Sequence, residues 1–240
     1  MLLEAPLRPG SAMDTALNKR CDELALAISR INTPSSYDAL ILFRASFSAP
    51  KVMHTIRSSP CIGHSGLSIF DSLQRSGLCM IANSNLSDTQ WLQASLPVKD
   101  GGLGMRRVAS LASSAFLASA ASSFALQDLT FSRCDPCIDA SFSDIGSQWS
   151  AAHNLPRLSP PLASVQKAWD RPFIDSDKEF ILASAPDTHR RSRQLAASAP
   201  HSGDWLHALP ISSCGLRLVD KSILVAVGLR LGVNLCEPHP

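Results

Sequence analysis

With 240 residues, 45% of them hydrophobic, and a mean hydropathy near zero, the chain can bury the core of one large domain or two small ones. A formal net charge of +2 lacks the stronger basic excess usual in dedicated nucleic-acid-binding domains, and the sparse aromatics, with one tyrosine, weaken the case for base-stacking platforms. No window approaches the roughly 18 uninterrupted apolar residues of a membrane span.

The opening Met1-Leu-Leu-Glu-Ala-Pro lacks the basic start and apolar run of a signal peptide, so the seven cysteines read as free thiols of a reducing, intracellular compartment. The clearest period lies in 11–31. Leu17, Cys21, Leu24, Ile28 and Ile31 form one apolar stripe, opposite Asn18, Lys19, Arg20, Asp22 and Glu23. Thr33-Pro34 should stop that helix. A second helix is predicted over 36–48 with Leu40, Phe43, Arg44 and Phe47 on one face, and a short third one opened by Pro50. A fourth, over 66–82, carries Leu67, Phe70, Leu73, Leu78 and Ile81.

Ser87-Asp-Thr-Gln90 has capping-box spacing and places Trp91 and Leu92 on a short helix that Pro97 ends. A long Ala- and Ser-rich helix is expected over 106–127. From 132 to 162 the pattern weakens, with Cys134-Asp-Pro-Cys137, Gly146 and several prolines, and an irregular linker is expected at 131–160. Helices then resume. Pro161 to Trp169 reads as helical, Ser176-Asp-Lys-Glu179 as a second capping box, Asp187 as the cap of a basic helix, and Asp220 to Gly232 as a last helix with a glycine stop. No strand pattern longer than Gly215-Leu-Arg-Leu218 stands out. The predicted fold class is mostly α: a helical unit over 1–130, the linker, and a second helical region over 161–240.

Chemistry-bearing constellations are thin. Nucleotide polymerisation needs paired carboxylates around two divalent ions, yet the only tyrosine, Tyr37, is followed by Asp38-Ala-Leu and no Asp-Asp occurs. Asp175 and Asp177 read as helix-capping carboxylates. Asp100-Gly-Gly-Leu-Gly104 lacks the Lys-Ser/Thr of a phosphate loop, so it reads as a turn with left-handed glycines. Lys99, Arg106 and Arg107 flank that turn. They are the candidate phosphate contacts, with a plain solvated face as the competing reading. Cys134 and Cys137 supply half of a zinc-site spacing, and His153, His189, His201 and His207 supply no second half. His201-Ser-Gly-Asp204 reads as a cap rather than a triad. Neither a cofactor nor a metal nor a small-molecule substrate is expected.

One segment is more specific. Leu96-Pro97 leads into Asp100-Gly-Gly-Leu-Gly-Met-Arg-Arg-Val108 and then Leu111-Ala-Ser-Ser-Ala-Phe-Leu-Ala-Ser-Ala-Ala121. This order resembles the region just after the polymerase core in non-LTR (LINE-type) retrotransposon reverse transcriptases. Leu3-Glu-Ala-Pro-Leu7, Ala39-Leu-Ile-Leu-Phe-Arg44, Ser48-Ala-Pro-Lys-Val52, Ala199-Pro-His-Ser-Gly-Asp-Trp-Leu206 and Val225-Ala-Val-Gly-Leu-Arg-Leu-Gly232 also look like elements of that family. The resemblance implies a thumb-like subdomain to about residue 130 and a helical linker region that stops before a family zinc cluster. It implies a catalytically inactive fragment of an RNA-directed DNA polymerase, from the part that grips template–primer, with weak RNA or DNA binding and the rest of such a core as partners. The rival expectation is a helical protein–protein interaction module derived from such an element. Basic residues gathered on one face would favour the first; an exposed apolar patch would favour the second.

Overall fold

The computed structural model describes residues 6, 10–31, 34–130 and 136–233, and only the backbone at 125, 128, 130 and 136–139. The described residues are mostly helical with no strand among them, as expected; Gly215 to Leu218 is exposed and irregular. Helix α1 (Ser11–Ser29) buries Met13 and the predicted stripe of Leu17, Cys21, Leu24 and Ile28. Helix α2 (Ser36–Leu42) is capped by the Ser35 hydroxyl, which accepts from the Asp38 amide, and runs into a π-helical turn over Phe43–Phe47. Phe43, the first residue of that turn, is fully buried in the core. A 3-10 turn at Ala49–Lys51 leads to α3 (Met53–Ser58), and α4 (Ser65–Ile81) packs along α1. On α5 (Asp88–Ser95) the Ser87–Gln90 capping box forms as the spacing predicts.

Helix α6 (Val108–Thr130) is the central element, in contact with α3, α4, α7 (Pro136–His153) and α8 (Gln166–Ala183). Its buried Ala112, Ser114 and Ala115 have little side chain to hold neighbours apart, so α3 and α8 approach closely. Helix α9 (Thr188–Ala197) is capped by Asp187, whose carboxylate accepts from the Arg190 amide at 2.7 Å. Helix α10 (Asp220–Leu231) ends at Gly232 in the left-handed conformation (φ 66°), as its sequence predicts.

Four expectations need correction. Helix α7 occupies most of the stretch read as an irregular linker. Phe142, Ile145, Trp149 and His153 lie on one of its faces, and the Trp149 indole donates to the Trp169 carbonyl on α8 at 2.9 Å. Ser176 does not open a helix: it sits mid-way along α8, where its neighbours' amides already bond within the helix. Nor do Asp175 and Asp177 cap anything; both pair with arginines. The packing also crosses the expected division, because Ile223, Val227 and Leu231 of α10 join the same buried cluster as α1 to α5. Leu3, Leu7, Cys134, Cys236 and His239 lie outside the described residues, as does the side chain of Cys137.

The N-terminus of α6 is closed from a distance. The Asp71 carboxylate on α4 accepts from the Val108 amide at 2.7 Å and from the Ala109 amide at 3.1 Å. Burial pushes its pKa up from 3.8 to about 6, against the pull of those two amides and of Arg107. A carboxyl raised in the folded chain binds its proton more tightly there than when unfolded. The stability it lends is therefore full below about pH 4 and is lost as pH rises through about 6, by about 3 kcal/mol in total. Urea midpoints at pH 4.5 and pH 7 should converge in Asp71→Asn relative to the parent protein; an unchanged difference would refute this assignment.

Candidate functional site

The turn between α5 and α6 carries the candidate residues. Gly101 (φ 93°) and Gly104 (φ 79°) adopt the left-handed conformation expected of them, and a Cβ on Gly102 would lie 2.0 Å from the Leu96 carbonyl oxygen. The glycine amides are turned back on the chain. Gly101 donates to Val98, Gly102 to Pro97, Leu103 to Ala94 and Gly104 to Leu96, at 2.9 to 3.2 Å. A phosphate cradle needs such amides free, so the turn is structural.

Its flanking cations face α8. Arg106 Nη2 lies 2.6 and 2.8 Å from the two oxygens of Asp170, and Arg107 Nη2 lies 2.7 Å from Asp177. Arg171 bridges Asp100, at 3.0 Å, and Asp175, while Lys178 lies 3.3 Å from Asp100. Four cations and four carboxylates thus interlock across the α6–α8 junction. Burial pushes the Asp170 carboxyl up despite Arg106 beside it, and the Arg171 hydrogen bonds hold the Asp175 carboxyl down. Lys99 alone of the three predicted phosphate contacts is exposed, and Asp175 is among the charges near it. The structure therefore places Arg106 and Arg107 in an internal ion-pair network rather than on an open basic edge.

No family model, curated protein or solved structure matches this chain.

The segments quoted for their resemblance do meet in space. Arg230, only 7% exposed, donates from α10 to the Gly102 carbonyl at 2.9 Å, the Val98 carbonyl at 2.7 Å and the Ser202 carbonyl at 3.1 Å. Burial lowers its pKa, and no carboxylate among its described contacts offsets the charge. Gln93 and Arg193 hold the Arg230 carbonyl from the other side. Arg44 donates to the Leu206 carbonyl, and the Tyr37 hydroxyl lies 3.1 and 3.0 Å from the carbonyls of Trp205 and Ala208. Tyr37 and Asp38 are thereby structural, the latter in an ion pair with Arg217. Sequence reasoning missed Asp71, Asp170 and Arg230 as partners of the turn. Arg230 stood within a quoted motif and could have been found there; nothing local marks the other two.

Among the described residues no three His, Cys, Asp or Glu side chains are placed to hold a metal ion. His153 packs between Trp149 and Phe173, and His201 pairs with Asp204 at 2.8 Å. The hydroxyl of Ser202 turns to the Ala197 carbonyl, so His201, Ser202 and Asp204 form no triad, and the 3-10 turn Asp204–Leu206 has no side-chain cap. No helix among the described residues is long and apolar enough to cross a membrane.

Proposed function

We propose that the chain is a non-catalytic helical segment of the kind that follows the palm in retrotransposon RNA-directed DNA polymerases. The observation that supports this reading is the convergence on one contact region of four stretches quoted for that resemblance. The turn at 98–104, Arg44, the carbonyls of 202–206 and Arg230 lie far apart in sequence and lock one another in place. Such a scaffold can hold a helical thumb in shape without contributing catalytic groups.

Two observations favour the second reading, a protein–protein interaction module built on that scaffold. Carboxylates neutralise Arg106 and Arg107, and apolar side chains are exposed between α9 and the end of α10, including Leu209, Val219 and Leu229. Fluorescence anisotropy with a labelled duplex at about 50 and about 200 mM salt separates the two. A template–primer grip that relies on Lys99 and a few neighbours gives a dissociation constant of about 10–100 μM and a log–log salt slope of about −0.9 per phosphate contacted. No salt-sensitive binding at the lower salt would remove the grip and leave the interaction module.

A further inference from the structure

One strand-like run, Gly215-Leu-Arg-Leu218, stands in an otherwise helical chain. Gly215 turns the backbone in the left-handed conformation (φ 68°). Residues 216–219 then belong to no helix, are all exposed, and end in extended backbone at Val219 (φ −72°, ψ 153°). The amides of Arg217, Leu218 and Val219 and the carbonyls of Leu216, Arg217 and Leu218 have no hydrogen-bond partner among the described residues. On the same loop Leu209, Ile211, Leu216, Leu218 and Val219 are between 37% and 68% exposed. The Leu216 amide donates to the Ile211 carbonyl at 3.1 Å and holds the two halves of the loop together.

An exposed run with free donors, free acceptors and apolar side chains is a template for strand pairing, and proteins commonly guard such an edge with an outward charge. Arg217 is the only charge in 209–219, and it gives no such guard. It turns back onto its own chain, donating to Ser35 Oγ at 3.1 Å and pairing with Asp38 on α2. The face therefore holds no unpaired charge to select an acidic peptide or a phosphate backbone. What complements it is a neutral apolar surface with donors and acceptors along one edge, and a second copy of this loop is such a surface. Two antiparallel copies of one segment pair about a twofold axis, so each satisfies the other. A register centred on Arg217 would set two arginines opposite each other, which is unfavourable. A register centred on Leu218 avoids this and lets the Val219 amide of each copy donate to the Arg217 carbonyl of the other, both of them free in the single chain.

We infer that the chain forms a homodimer by antiparallel pairing of residues 216–219 with the same residues of a second copy, Leu218 facing Leu218, with Leu209 and Ile211 packed around the pair. The inference builds on the second reading under Proposed function and names its partner, yet the two fail separately. Salt-sensitive duplex binding would count against that reading, whereas a chain that stays monomeric overturns this inference alone.

Sedimentation equilibrium of the full chain between about 2 and about 200 μM should show the mass rising from one chain toward two. A dissociation constant on the order of 10 μM fits so small an interface. Hydrogen exchange resolved to single amides should slow about fivefold at Val219 across that range, as the paired fraction grows, while the Leu218 amide, directed away from the partner, stays fast. Val219→Pro suits the φ of −72° and removes an amide that has no bond in the single chain. It should weaken the dimer at least about tenfold, because each copy loses one neutral hydrogen bond. Leu218→Lys, which sets like charges opposite each other, should leave the chain monomeric. A monomer throughout the range, a Val219 amide equally fast at both ends of it, or a dimer that withstands Val219→Pro would each overturn the inference. If circular dichroism shows that a variant fails to fold, the exchange of the Val219 amide in the parent protein decides.

Discussion

Replacing Arg230 by Ala should lower stability by about 3–5 kcal/mol, among the largest effects of any single change in this chain. Three carbonyls, those of Val98, Gly102 and Ser202, lose their donor together, and each sits where the turn, α10 and the 199–206 segment meet. A lost hydrogen bond to a charged group is worth about 1.5–3 kcal/mol, and the emptied space adds a cavity cost. Arg230→Lys should recover less than half of the loss. A single ammonium cannot reproduce a planar fork aimed at carbonyls on separate segments. Arg230→Met, which keeps volume and removes donors, separates packing from hydrogen bonding. Denaturant midpoints of the three variants would show this, and a loss under about 1 kcal/mol in Arg230→Ala would reject the clamp.

The second large effect is expected at the α6–α8 junction. Arg106→Ala leaves the buried Asp170 carboxylate without its cation, and breaking a buried pair on one side costs about 3–5 kcal/mol. The pair keeps some contact with solvent, so about 3 kcal/mol is the appropriate figure, or a fall of about 6–12 °C in melting temperature for a chain of this length. The double variant Arg106→Met with Asp170→Leu should recover most of that, because it removes the uncompensated charge along with its partner. Arg107→Ala should cost less, since Asp177 is about a quarter exposed and water can replace the lost cation. If Arg106→Ala and Arg107→Ala proved equally mild, the two arginines would be ordinary surface charges and the basic-edge reading would regain ground.

What could be seen in the sequence and what could not divides along one line. The stripe of α1, the capping box at Ser87 and Gln90, the cap at Asp187 and the stop at Gly232 are local patterns, each satisfied within a few residues, and each formed as predicted. The capping spacing at Ser176 was equally local, yet tertiary packing carried α8 straight through it and bound Asp175 and Asp177 to arginines. Helix α7 did leave a trace, the three- and four-residue spacing of Phe142, Ile145, Trp149 and His153. Prolines, a glycine and paired cysteines around it made the stretch read as a linker. The partners of Arg106 and Arg107 lie 64 and 70 residues away, and those of Arg230 lie up to 132 residues away. Charge spacing along the chain carries no trace of such pairings. For that reason the candidate edge was legible as a set of residues but not as an internally neutralised junction.

The return of α10 onto the first helices sets the order in which this protein can be born. Ser36 and Asp220 touch across 184 positions, and Ile223, Val227 and Leu231 close a core that α1 to α5 begin. At about 5–20 residues per second, a ribosome delivers that closing helix on the order of 10–40 s after α2. Throughout the interval the greasy underside of the early helices has no lid. The nascent chain is then a natural client for hydrophobic-binding chaperones, and stalling translation before residue 220 should lengthen its stay with them.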